Sequence, residues 1–281
     1  AYLVEFGNPG CIFIRDGEIM KIPEQFRMID NRRINEYHFK VKLGDAFVLI
    51  SDGAINAGVG ELLNFGWNWD SVAKYAQREY KKTISAMHLA AAISQACDDL
   101  YQYRPGDDTT VAVLRIGEKK LVNLMTGPAQ CQEDDEGMVT DFMADENAVK
   151  VVCGGTSANI VARVLEKEIN VAFTASIEGI DLVTEGVVTM NRVLKLLEQY
   201  TRDDEIDEAF FIELDKPNGA SMLAKLLIEQ CTDLHLFVGK AVNAAYQNTE
   251  LPFQLGVRQK LVDQIEDVLK RLGKGVSVRY Y

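Results

Sequence analysis

Gly44-Asp45-Ala46-Phe47-Val48-Leu49-Ile50-Ser51-Asp52-Gly53 decides how the first part of the chain folds. Its middle is an uninterrupted apolar run, the pattern of a strand covered on both faces, and turn residues close it at either end. A second such pattern follows downstream, where Gly106-Asp107-Asp108-Thr109 leads into the strand Thr110–Ile116. Upstream, the short apolar or alternating runs Tyr2–Phe6, Cys11–Ile14, Ile19–Ile22 and Tyr37–Lys42, with turn chemistry at Asn8-Pro9-Gly10 and Arg15-Asp16-Gly17, predict a predominantly antiparallel sheet over residues 1–50. Two helices lie between the buried strands. One is expected over Asp70–Tyr80, and the other from near Ser85, with Leu89, Ile93, Ala96 and Leu100 on one face.

After the polar bridge Gly117-Glu118-Lys119-Lys120 the pattern changes. Strand-like runs at Leu121–Met125, Val149–Cys153, Asn170–Phe173, Leu234–Val238 and Val276–Tyr280 alternate with helical ones. The helices are expected near Glu133–Met143, Ser157–Lys167, Asn191–Tyr200, Ala220–Gln230 and Gln254–Leu272. Alternating β and α elements imply a mostly parallel sheet covered on both faces. The expected division is therefore a domain over 1–118 and an α/β domain over 119–281, an α+β part followed by an α/β part.

The chain of 281 residues carries a formal net charge of -12 and no lysine or arginine stripe, which argues against a nucleic-acid groove. No apolar run reaches the ~18–20 residues of a membrane span, and no signal peptide is visible, so a soluble, cytoplasmic protein without a membrane partner is expected. Five cysteines, far apart and without a C-x-x-C pair, and three scattered histidines disfavour a disulfide framework or a zinc site.

Acids remain as the candidate chemistry. Asp52 closes one buried strand and Asp107-Asp108 open another, so if those strands are neighbours the carboxylates meet on one rim. Carboxylates without histidine or thiol suit hard cations such as Mg²⁺ or Mn²⁺. Either motif alone also reads as an ordinary turn.

Taken together and in order, Gly44-Asp45, Ser51-Asp52-Gly53 and Gly106-Asp107-Asp108-Thr109-Thr110-Val111 resemble the stage II sporulation E branch of the type 2C, metal-dependent Ser/Thr protein phosphatases. Leu3-Val4-Glu5-Phe6-Gly7-Asn8-Pro9 and Phe13-Ile14-Arg15-Asp16-Gly17 match the sheet segment before those motifs. The resemblance covers about residues 1–117. It implies a type 2C phosphatase-like β-sandwich with flanking helices, with Asp52 and Asp107 as catalytic metal ligands and Asp108 as an auxiliary acid. It also implies two Mn²⁺ or Mg²⁺ ions and a phosphorylated protein substrate, for which anti-sigma-factor antagonists are typical of the branch. The family's first Asp-Gly pair is expected upstream of Ala1, so the sandwich and the metal site are expected to be incomplete at the N-terminus. The competing expectation is a non-catalytic, phosphatase-like regulatory protein with a ligand-sensing α/β domain.

In the second domain, Val151-Val152-Cys153-Gly154-Gly155-Thr156-Ser157-Ala158-Asn159 reads as strand, glycine turn and helix start. Gly154, Gly155, Thr156 and Ser157 form either an anion-binding nest or a plain turn in which Thr156 or Ser157 caps the helix. Glu178, Asp181 and Glu185 are either simply solvated or, if the nest binds an anion, face it across a cleft and hold a bridging cation. The domain resembles the C-terminal extension of some bacterial members of the same branch, which assigns it no role.

Overall fold

The computed structural model describes residues 1–60, 62–104, 106–170, 176–202, 206–241 and 253–281, and the chain divides into two compact units, Ala1–Glu118 and Lys119–Tyr281. The first unit holds two antiparallel sheets. β1 (Tyr2–Glu5), β5 (Arg32–His38) and β4 (Gln25–Ile29) form a three-stranded sheet in the order β1-β5-β4. β3 (Glu18–Met20), β2 (Ile12–Arg15), β6 (Ala46–Ile50) and β7 (Val111–Arg115) form a four-stranded one in the order β3-β2-β6-β7. Between β6 and β7 come the single turn α1 (Asp52–Ile55) and the helices α2 (Trp69–Tyr80) and α3 (Ala86–Leu100).

The core of this unit lies between the four-stranded sheet and α2 and α3. Ile12, Ile14, Val48 and Ile50 pack there against Val72, Ala76, Leu89 and Ile93, all buried. Asn68 and Ser85 start the two helices by accepting the backbone N–H of Ser71 and of His88, as side-chain oxygens do at N-caps. On the other face Phe13 stacks on Phe47, with ring centroids 4.8 Å apart. No residue of β1, β4 or β5 is buried, so the expected packed sandwich is not formed by this unit's described residues. Its packed core has a sheet and a helical layer. Of the hairpin from β4 to β5 only the tail was expected: the run read at Tyr37–Lys42 is the end of β5, which stops at His38. The hairpin turns on Asp30 and Asn31, both at positive φ, the geometry of a two-residue type I′ turn, and the apolar Phe26, Met28 and Ile29 of β4 are left exposed.

The second unit is a five-stranded, all-parallel sheet in the order β10-β9-β8-β11-β12. Its strands are β8 (Leu121–Thr126), β9 (Val149–Cys153), β10 (Leu182–Thr184), β11 (Asp233–Val238) and β12 (Gly275–Tyr280). The helices α4 (Asp135–Met143) and α5 (Gly155–Leu165) pack on one face, around Met125, Val152, Val183 and Phe237. α6 (Val187–Tyr200), α7 (Glu208–Leu214), α8 (Gly219–Lys225) and α9 (Phe253–Arg271) follow, with α6 packed against α8 and α9. The strand order reverses between β8 and β11, the pattern of a doubly wound sheet.

Three expectations change here. Leu182–Thr184 is a strand and Glu208–Leu214 a helix, and the sequence reading omits both. The helix expected through Gln230 ends its regular turns at Lys225 and closes with a π-type turn over Leu226–Gln230. Of the strand expected at 170–173, residues 171–173 lie outside the described residues, while Asn170 bridges Ser176. Among the described residues no helix is long and apolar enough to cross a membrane.

Candidate active site

β6 and β7 are antiparallel neighbours with Ile50 opposite Val111. The chain leaving β6 and the chain entering β7 therefore run side by side at one end of the sheet. Ser51 ties them together. Its N–H donates to the Thr110 carbonyl (3.0 Å), and its hydroxyl accepts from the Thr110 N–H (2.9 Å) and donates to the Asp108 carbonyl (3.0 Å). Gly53 is demanded by the same approach, because a Cβ there would stand 2.5 Å from the Asp108 carbonyl oxygen and 2.8 Å from the Thr109 hydroxyl. Tyr101, just past α3, donates its buried hydroxyl to the Gly53 carbonyl at 2.8 Å.

This bracing leaves Asp52, Asp107 and Asp108 exposed on one rim. Asp107 turns one oxygen, Oδ1, back to the Asp108 N–H (2.8 Å). Both strand-end acids act on the same phenol: burial raises the Tyr101 pKa most, and the charges of Asp107 and Asp52 add to it. Asp45, in the same motif, has a different task. It is buried, with Arg15 donating to both of its oxygens at 2.8 and 2.7 Å and the Lys42 N–H donating at 2.7 Å. The Arg15 hydrogen bonds hold its carboxyl below the ordinary value against the opposing effect of burial. It locks the turn before β6.

Exposed carboxylate oxygens with water at hand suit a hard divalent cation in kind. In number they fall short: among the described residues, no three His, Cys, Asp or Glu side chains gather to hold a metal ion. Ser51 and Tyr101 were given no role from sequence. Ser51 stood inside the quoted motif, whereas nothing local marked Tyr101.

The glycine turn of the second unit is built for packing. Gly154, at φ +114°, is the N-cap of α5, and no side chain caps that helix. A Cβ on Gly154 would lie 3.5 Å from the Cα of Gly186, the residue that precedes α6, so two helix starts abut through glycine. Ser157 is buried and its hydroxyl is used, accepting from the Gly127 N–H (2.8 Å) and donating to the Cys153 carbonyl (3.3 Å). Thr156 and Gly155 are exposed. Of the acids expected across a cleft from the glycine turn, Asp181 and Glu185 line one cavity with Gly155, and Glu178 is not in its lining. Asp181 precedes β10 and accepts from the Lys150 N–H (2.7 Å), Glu185 follows β10 at its other end, and Glu178 pairs with Lys167 (2.6 Å). Trp69 donates its indole N–H to the Gly10 carbonyl and Trp67 packs edge-on to Tyr75, both structural contacts.

The phosphatase domain of the cell fate determinant SpoIIE from Bacillus subtilis, in a Mn-presoaked structure, is similar to this chain with a TM-score of 0.33 and 20% identity, over 42% of this chain and 51% of that one. A second structure of the same domain gives a TM-score of 0.32 and 21% identity, over 42% of this chain and 52% of that one. The chain thus spans about half the length of the domain it matches. No described protein family and no curated protein matches the chain.

Proposed function

We propose that residues 1–118 are the part of a metal-dependent phosphatase unit that carries Asp52 and Asp107, and that the reaction is hydrolysis of phosphoserine or phosphothreonine on a regulatory protein. The observation that carries this reading is the shared rim. Two exposed carboxylates stand beside the paired ends of β6 and β7, and Ser51 between them is already engaged in holding those ends together. The order of the two motifs along the chain, which resembles the sporulation branch of the type 2C phosphatases, supports it further. An anti-sigma-factor antagonist, the usual substrate of that branch, is the partner to try first.

Asp52 and Asp107 are the residues that would hold Mn²⁺ or Mg²⁺, with Asp108 beside them. When bound, the ions supply charge neutralisation of the phosphoryl oxygens and a hydroxide nucleophile at neutral pH. The chain's own contribution is positional. Ser51 fixes the separation of the two strand ends, Gly53 lets them touch, and Tyr101 anchors α1, so that Asp52 and Asp107 are presented without rearrangement.

The absence of a third gathered donor among the described residues favours a second reading, a phosphatase-like regulatory protein without turnover. Hydrolysis of para-nitrophenyl phosphate and of a phosphoserine peptide, with and without Mn²⁺, separates the two. Mn²⁺-dependent turnover abolished by Asp52→Asn supports the enzyme. Turnover that persists in excess chelator, or that is indifferent to Asp52→Asn, overturns the assignment.

A further inference from the structure

On the α4 side of the parallel sheet, α4 reaches Phe237 of β11 through Phe142, while Ser277 and Arg279 of β12 stay exposed. Asn123, His235 and Ser277 lie in one row across β8, β11 and β12, and their exposure rises along it. Asn123 is buried, His235 is half-buried and Ser277 is exposed. Beside α4 lie two cavities of about 500 and 480 Å³ that share Asp141, the larger of them also lined by Asn123, His235 and Phe237 of the sheet and the smaller by Tyr281. Along them stand the carboxylates of Glu133, Asp134, Glu136, Asp141, Asp145 and Glu146. Among the described lining residues Arg279 is the one lysine or arginine, and it is already paired with Asp141 at 3.1 Å.

A run of acids is usually just a solvated helix face. Asn123 adds an independent observation. It lines the larger cavity, is 1% exposed, and donates its amide nitrogen to the Phe142 carbonyl at 2.8 Å. Its Oδ1 has no hydrogen-bond partner. A buried amide oxygen without a donor carries a desolvation cost that a donor entering from the cavity would remove. The site thus asks for an N–H donor, and its charge asks for a cation.

We propose that this groove along α4 docks a basic polypeptide segment, with one arginine or lysine of the segment reaching the cavity of Asn123 and its neighbours meeting the row of carboxylates. The length favours a peptide over a small amine. The acids are spread from Glu133 to Glu146 across two adjoining cavities, so several cationic side chains are needed to match them.

The test uses the full chain and, as probe, a fluorescein-labelled peptide of alternating arginine and alanine, followed by anisotropy in low-salt buffer. Saturable binding is expected, and Asp141→Asn with Asp145→Asn should weaken it by about tenfold, the loss of roughly 1.4 kcal/mol. Glu118→Gln with Glu168→Gln makes the same change in net charge at exposed positions outside the groove, and should leave affinity within about twofold. Asn123→Leu should weaken the peptide severalfold in a protein that still melts cooperatively. If Asn123→Leu does not fold, the two charge pairs decide alone. Equal weakening by both charge pairs reduces the effect to general attraction and overturns the proposal. So does unchanged binding to a folded Asn123→Leu protein. Displacement of the peptide by spermidine at matched charge overturns the choice of a polypeptide partner.

Discussion

The strand exits of the two units look alike in sequence and differ in what they leave over. At the end of β6, Ser51 and Gly53 are consumed in bringing two loops together, and the carboxylates of Asp52 and Asp107 remain in water. At the end of β9, Gly154 is consumed by contact with Gly186, and the buried hydroxyls are used as well, that of Ser157 on Gly127 and Cys153 and that of Thr184 on the Cys153 sulfur. A glycine-rich turn after a strand is thus a packing device in both places. What makes the first a candidate active site is the chemistry standing free beside it.

The largest effect that would break this contrast concerns Asp45, which shares a motif with Asp52 but is buried. Asp45→Ala leaves Arg15 without its partner and should cost about 3 kcal/mol, read from denaturant unfolding. The sign of its pH dependence follows from its lowered pKa. The contribution is fully present above the unfolded carboxylate value of about 4 and is lost as pH falls through the lower folded value. Thermal melts between neutral pH and pH ~3 should therefore lose this increment in the parent and show no such step in Asp45→Asn. A protein in which Asp45→Ala is as stable as the parent would place Asp45 with the free acids.

Asp52→Asn and Asp107→Asn should do the reverse. Each should lower Mn²⁺-dependent phosphate hydrolysis on the order of 10²-fold, by analogy with removing one preorganised charge-stabilising group. Both carboxylates are exposed, so unfolding should shift by no more than about 0.5 kcal/mol. Stability loss without activity loss would make them structural residues.

Glycine substitutions sharpen the comparison further. Gly53→Ala drives a methyl into the Asp108 carbonyl and should cost about 1–3 kcal/mol together with activity. Gly155→Ala meets nothing within 4 Å, at the first residue of α5, and should be neutral or stabilising by up to about 1 kcal/mol. Differential scanning calorimetry of the pair reads the difference directly.

Ser157→Ala tests the buried hydroxyl of the second unit. It leaves the buried Gly127 N–H without an acceptor, a cost of roughly 1–2 kcal/mol, with no effect on hydrolysis. A loss of anion binding in this variant with stability unchanged would reverse the reading of Ser157 as a structural hydroxyl.

The primary structure determined the strands and helices with strong apolar periods, because that pattern is local. Ala46–Ile50, Val149–Cys153 and the α3 stripe through Leu89 and Ile93 are legible one residue at a time. Most of the β4–β5 hairpin was not, since β4 is exposed throughout and the turn is written in backbone angles at Asp30 and Asn31 rather than in an Asn-Gly signal. Sequence also determined which acids end the strands at Asp52 and Asp107. Only the tertiary structure decided which of them face each other, because adjacency of β6 and β7, with α1, α2 and α3 between them in sequence, is a property of sheet order. It likewise separated Glu178, Asp181 and Glu185, which are neighbours in the chain but sit at different ends of a three-residue strand or in a separate ion pair. It also spent Ser157 on backbone while leaving Asn123 unsatisfied. A hydrogen bond made by a buried side chain depends on what lies across the core, and nothing in the residues adjacent along the chain specifies that.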